Sequence, residues 1–137
     1  MATVTSNQCS AGVQPKALRV GLASIVAVYS PNGSMSSGDV IQMIKVPSGG
    51  RVVYLDVQYQ LSGVGSFVVG DGISVARYIG ATASSSGIGI VRLGAAGITY
   101  TPYTYSTDDT IDLVQSSSVN VSSGAVYMTA VIEYPGV

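Results

Sequence analysis

The residues able to do chemistry are few, and one type is missing altogether. The 137-residue sequence contains no histidine, so neither a Ser-His-Asp nor a Cys-His nucleophile can be assembled, and histidine-containing zinc sites fall away with them. Seven carboxylates remain: Asp39, Asp56, Asp71, Asp108, Asp109, Asp112 and Glu133. A pair of them could in principle flank a glycosidic bond as acid and base. None sits in a sequence setting that raises its pKa, so no enzymatic activity is expected. Asp108-Asp109-Thr110-Ile111-Asp112 offers hard oxygen ligands of the kind calcium takes, but its spacing fits no calcium loop and Asp112 falls inside the next apolar run. A turn entering a strand is the expectation there. Gly70-Asp71-Gly72, with no lysine and no following helix, reads as a tight reversal whose glycines permit positive φ and not as a phosphate cradle. Cys9 is the single cysteine; it can close no disulfide within the chain and is expected to be an inert thiol. No metal and no cofactor are expected.

Tyr100, Tyr103 and Tyr105, with Pro102 among them, form an aromatic segment. Tyrosine gives large contact area for little rotamer entropy, so these three and Tyr127, together with Val4 and Val13, are the candidates for a protein interface. The same tyrosines could line a sugar site, or cover a sandwich edge with their hydroxyls in water.

Charge narrows the partners. Only 9% of the residues are charged and the formal net charge is -1, against about 25% charged in an ordinary domain. The six basic residues, Lys16, Arg19, Lys45, Arg51, Arg77 and Arg92, are scattered, which leaves no stripe to neutralise phosphates, and nucleic acid is not expected as a partner. A surface this neutral, rich in Ser, Thr, Gly and Tyr, has little colloidal repulsion and suits a protein that lives in an assembly. Residues Met1 to Pro15 lack the basic start and apolar run of a secretory signal, and Val20 to Tyr29, interrupted by Gly21 and Ser24, is too short to span a bilayer as a helix. The expectation is a soluble chain made in the cytoplasm, with no membrane partner.

The elements that must position these residues are strands. Period-two alternation recurs in short runs broken by Ser30-Pro31-Asn32-Gly33, Pro47-Ser48-Gly49-Gly50, Gly70-Asp71-Gly72, Ser84-Ser85-Ser86-Gly87 and Ser122-Ser123-Gly124, and helix-period stretches are missing. Arg51 to Leu61 places Val53, Leu55, Val57, Tyr59 and Leu61 on one face. Ala125 to Tyr134 places Val126, Met128, Ala130, Ile132 and Tyr134 together. Further strands are expected over Leu18 to Tyr29, Asp39 to Val46, Ser66 to Val69, Val75 to Gly80, Ile88 to Leu93, Ile98 to Tyr105 and Thr110 to Gln115. The fold class that follows is all-β, an antiparallel two-sheet sandwich of jelly-roll type, with an immunoglobulin-like sandwich as the alternative. Residues 1–16 are polar and aperiodic and read as an extended N-terminal arm; residues 17–137 form the sandwich domain. Val4 and Val13 would let the arm add to a neighbour's sheet edge.

Three segments, in this order, resemble a known family. They are Gly38-Asp39-Val40-Ile41-Gln42-Met43-Ile44-Lys45-Val46-Pro47-Ser48-Gly49-Gly50; Phe67-Val68-Val69-Gly70-Asp71-Gly72 leading to Arg77-Tyr78-Ile79; and Tyr105-Ser106-Thr107-Asp108-Asp109-Thr110-Ile111-Asp112-Leu113 with the closing strand to Tyr134. The order and spacing are similar to those of the small decoration, or cement, proteins on the heads of tailed bacteriophages, in particular short-tailed ones. The resemblance implies a jelly-roll-like sandwich, attachment to the major capsid protein on the outside of the virion, self-association at symmetry axes, and no cofactor or catalytic residue. A homodimer is the expected self-associated form because two-fold contacts are the commonest, with a trimer open. A carbohydrate-binding lectin or adhesin module using Tyr100, Tyr103, Tyr105 and the Asp108-Asp109 turn is the rival, and an outer-membrane barrel a third reading. Deleting Met1 to Pro15 should leave the sandwich folded and weaken attachment or self-association, measured as capsid occupancy; unchanged occupancy would count against a role for the arm.

Overall fold

Alternating burial builds the architecture. In the last strand Val126, Met128, Ala130, Ile132 and Tyr134 are all buried, while Tyr127 between them is exposed, as a half-covered sheet requires. The computed structural model describes residues 2–10, 21–31, 33–61, 65–84, 87–95, 99–117, 119–121 and 124–134. Its elements are β1 (Thr3–Thr5), α1 (Asn7–Ser10), β2 (Gly21–Tyr29), β3 (Gly33–Met35), β4 (Val40–Val46), β5 (Arg51–Leu61), β6 (Gly65–Gly70), β7 (Ile79–Ser84), β8 (Gly87–Arg92), β9 (Asp109–Gln115), β10 (Val119–Val121) and β11 (Gly124–Tyr134).

One sheet runs β2-β11-β5-β8 and the other β1-β4-β9-β6-β7, with β3 and β10 forming a separate ribbon. Leaving aside β1 and that ribbon, eight strands remain, four to a sheet. The first of them pairs with the last, the second with the seventh and the third with the last as well. All of these pairs are antiparallel, which is the double wrapping of a jelly roll. The sheets share one core: Ile41, Met43, Ile44, Val46, Phe67, Val69, Ile111 and Leu113 from one, Val52, Leu55, Val57, Met128, Ala130 and Ile132 from the other.

Bulges reset the alternation at places where periodicity alone misleads. Ile132 pairs with Val52 while Val131 pairs with Tyr54, so Val53 is the extra residue. Val52 is therefore fully buried and Val53 is exposed, the reverse of the expected face for Val53, because a bulge shifts the phase of one strand against its partner. A second bulge between Gln42 and Ile44 lets Met43 and Ile44 both face the core.

Residues 2–10 of the expected arm fold back on the chain itself. Thr3–Thr5 lies along the chain's own sheet edge, parallel to β4, with Val4 opposite Ile41 and packed against the core. The Ser6 hydroxyl donates to the Met43 carbonyl at the bulge, and the Asn7 side chain accepts from Val28 N–H of the opposite sheet at 2.7 Å. Carbonyls freed by a bulge need partners, and the segment supplies one. Val13 lies outside the described residues, as do Leu18 to Val20.

Two other expected strands differ. From Thr99 to Tyr105 the described residues form no ladder beyond the single bridge Arg51 to Thr104, because the tyrosines there turn toward the core. Val75 to Tyr78 belongs to a loop, and β7 starts only at Ile79. Glycines mark close approaches. A Cβ on Gly89 would meet the Tyr59 ring laid across it, and one on Gly70 would sit 2.0 Å from the Ser74 carbonyl oxygen. Neither Gly70 nor Gly72 has positive φ, so the expected reason for the glycines in this reversal gives way to another: the loop backbone folds directly over Gly70. Gly70→Ala should cost about 3 kcal/mol or more, since the obstacle is backbone and not a movable side chain; urea unfolding by circular dichroism checks this.

Candidate functional site

The loops after β4, β6 and β8 gather at one end of the sandwich, and a buried charge organises them. Asp71 leaves β6 with a side chain fully shielded from solvent. Its Oδ1 accepts from the N–H groups of Ile73 at 2.9 Å and Ser74 at 2.8 Å, which closes the reversal locally. Its Oδ2 accepts from Arg77 Nε at 2.5 Å and from the Tyr105 hydroxyl at 2.8 Å. Burial by itself would raise this carboxyl's pKa, but the Arg77 bond, the Ser74 N–H, the Tyr105 hydroxyl and the Ile73 N–H outweigh it and hold the pKa below the usual carboxylate range.

Tyrosines complete the network. With the Tyr105 proton given to Asp71, the Tyr78 hydroxyl donates to the Tyr105 oxygen at 2.5 Å. Burial pushes both phenols up, so both stay neutral donors. The Arg77 guanidinium lies 3.7 Å from the Tyr103 ring centre, a cation–π contact, and Tyr103 meets Tyr105 edge-on. Tyr100 packs against Tyr78 and donates its hydroxyl proton to the Val52 carbonyl at 2.6 Å. Tyr105 is 1% exposed, so its expected place on a contact surface is corrected: its hydroxyl is required inside. Tyr100 and Tyr103 are half-buried against the core. A flat aromatic platform for sugar at this segment is not what the three rings make.

The same network holds a loop tip rigid. Ile73 and Val75, 68% and 56% exposed, project from the reversal that Asp71 closes. Asp108 and Asp109 serve the neighbouring turns: Ser48 N–H donates to Asp108 at 2.8 Å, and Thr110 N–H donates to Asp109. Together with Gln42, Lys45 and Thr110 they line a shallow surface hollow. Among the described residues no three His, Cys, Asp or Glu side chains converge to hold a metal ion. Beside the hollow, Asp112 is buried and accepts from the Thr110 hydroxyl at 2.6 Å. Its pKa is pushed up to about 6, by burial first and by the nearby Asp109 and Asp71 charges, against the Thr110 bond.

The remaining candidates are apart from this end. Tyr127, 42% exposed, stands on the outer face of the β2-β11-β5-β8 sheet with Leu22, Val26, Tyr54 and Ile90. Val4 is on the edge of the other sheet. The role of Arg77 was not anticipated. Its signal was available, since Asp71 and Arg77 are the only charges between Asp56 and Arg92, and two lone opposite charges in an apolar stretch are read most simply as partners.

Two substitutions test this geometry. Tyr105→Phe should cost about 1–3 kcal/mol by leaving Asp71 one donor short, and should raise the pH at which the protein unfolds in acid. The sign follows from Asp71: a pKa depressed in the folded state gives stability that is present above about pH 4 and lost as pH falls further. Asp112 acts in the opposite sense. Its raised pKa makes the folded state the tighter proton binder, so stability falls as pH rises from about 4 through 6 and stays lowered above. Asp112→Asn should therefore melt higher than the parent at pH 7.5, by about 2 kcal/mol in stability, and match it near pH 4; a scan of melting temperature against pH reads both.

No family model and no curated protein matches the sequence. Solved structures do match. A chain in the capsid of Ralstonia phage GP4 superposes over 99% of both chains with a TM-score of 0.73 at 10% identity. A chain in the cyanophage Pam1 capsid asymmetric unit superposes over 90% of this chain and 92% of that chain with a TM-score of 0.64 at 17% identity. At these identities the likeness is one of fold, and the chain shares its jelly-roll sandwich, nearly end to end, with chains found in two phage capsids.

Proposed function

We propose that this chain is a decoration protein of a bacteriophage head, which binds the major capsid protein on the outer surface of the shell, self-associates there and stabilises it. The observation that carries the reading is the end-to-end fold match to a chain in the GP4 phage capsid, 99% of each. Three properties of the chain fit the role. Its charge content of 9% gives a surface with little repulsion toward neighbours. Large apolar side chains stand in the open on one sheet face and at the Ile73 and Val75 loop tip. The Asp71 network fixes that tip, so docking it would order little that is not already ordered.

The mechanism is linkage. A protein that binds the intact shell and not its separated subunits shifts the equilibrium toward the shell by RT ln(1 + [L]/Kd), about 2.7 kcal/mol per site at a hundredfold excess over Kd. Self-association adds avidity, because one docked copy holds its mate near a second site. The carbohydrate-binding alternative loses its platform with Tyr105 buried and the Tyr100 hydroxyl bound to Val52.

The test uses virions of the encoding phage made with and without this gene. Heads lacking the protein should assemble but release DNA at a lower temperature, and purified protein added back should bind saturably and restore the parental value. Absence of the protein from purified virions, or heads equally resistant without it, would overturn the reading.

A further inference from the structure

Eight large apolar side chains are exposed among the described residues, and six of them lie on the outer side of one sheet: Leu22, Val26, Val53, Tyr54, Ile90 and Tyr127. A concentration of this kind marks an interaction surface more than scattered exposure would. The strand registers fix what stands beside what. At one level across the sheet Leu22, Glu133 and Arg51 are neighbours; at the middle level Val26, Thr129, Asp56 and Arg92; at the next Val28, Tyr127, Gln58 and Ile90. Its charges are two positive, Arg51 and Arg92, and two negative, Asp56 and Glu133, so the face is neutral as a whole.

We infer that this face is the surface through which two copies of the chain pair, sheet against sheet, about a two-fold axis that runs along the strands between β11 and β5. The inference rests on the self-association proposed above and names its surface. Such an axis exchanges β11 with β5 and β2 with β8 and keeps every level opposite itself. Arg51 and Glu133 are ion-paired within the chain at 2.7 Å; the axis brings the two pairs together with opposite charges facing, and sets Thr129 against Asp56. The Asp56 carboxylate that Thr129 faces accepts at Oδ2 from the Tyr54 hydroxyl of its own chain at 3.3 Å. Val28 meets Ile90, and Val26 meets the aliphatic stem of Arg92.

The size is also that of a pairing surface. Two strands of 11 residues, one of 9 and one of 6, at about 3.4 Å per residue and about 4.8 Å apart, give a plane of roughly 600 Å², which side-chain relief brings toward the roughly 800 Å² that each partner of a stable interface buries. Aligned sheets pack in this way inside sandwiches, rotated by about 30° through their twist.

Sedimentation equilibrium of the wild-type chain at micromolar concentration should give twice the 13.9 kDa monomer mass. Val26→Lys and Thr129→Lys each place a charge at the middle of the face and should weaken pairing by about a hundredfold or more. Ile73→Lys, on the exposed loop tip away from the face, should leave pairing intact. Thermal unfolding of each variant shows that it is folded. A wild-type chain that stays monomeric, a trimer, or a dimer that persists in both folded lysine variants would overturn the inference. Attachment to heads is read separately by co-sedimentation, so loss of pairing and loss of shell binding are distinguishable.

Discussion

A carboxylate with no solvent-exposed surface is the constraint on which this end of the molecule depends. An unpaired buried charge costs several kcal/mol, and Asp71 avoids that only because two backbone N–H groups, a guanidinium and a phenol converge on it. Meeting that demand fixes the loop between β6 and β7. It also draws Tyr105 inward from the long connection between β8 and β9, and Tyr105 in turn engages Tyr78. Two segments with little ladder pairing of their own are thus held by side chains. The Tyr105 backbone then pairs with the turn after β4 through Gly49 and Gly50, so the order imposed at one carboxylate reaches a third loop.

The opposite sign of Asp112 is instructive beside it. Both carboxylates are buried near the same end, yet Asp71 has four donors and Asp112 has the Thr110 hydroxyl, so burial wins at one and loses at the other. Burial alone does not set a titration; the donors and charges around the group decide its direction.

Much of the fold was legible because long strands with one wet face announce themselves. β11, and β5 from Tyr54 onward, alternate cleanly, and turn chemistry marks most of their boundaries. What periodicity could not carry was phase: the bulges at Val53 and Met43 each shift a strand by one residue, and no local pattern distinguishes Val52 from Val53 as the core residue. The segment after Ile98 reads as a strand because Tyr103 and Tyr105 repeat at a strand's spacing of two, a spacing that a tyrosine-lined loop can share. Of the candidate site, the tyrosines were identified by type but misjudged by environment. Tyr105 is inside because Asp71 is, and only the pairing of Asp71 with Arg77 and Tyr105 across the fold makes that visible. Strands as short as β1, β3 and β10 have no periodic signal to read; β1 exists because the edge of β4 has carbonyls and N–H groups to fill.

The pairing of β2 with β11 has a bearing on how the chain comes to be folded. Gly21 is aligned with Tyr134 and Tyr29 with Val126, so β2 lies beside a strand from which β3 to β10 separate it in the chain. β5 pairs with the same strand. The sheet they build needs a strand made after β2, β5 and β8, so neither β2 nor β5 can complete its pairing until that strand is present. Closure of that sheet therefore joins distant parts of the chain, and topologies dominated by such distant partners fold slowly. A chain without β11 would hold the β2 and β5 edges apart, which makes that one strand the gate to a usable molecule.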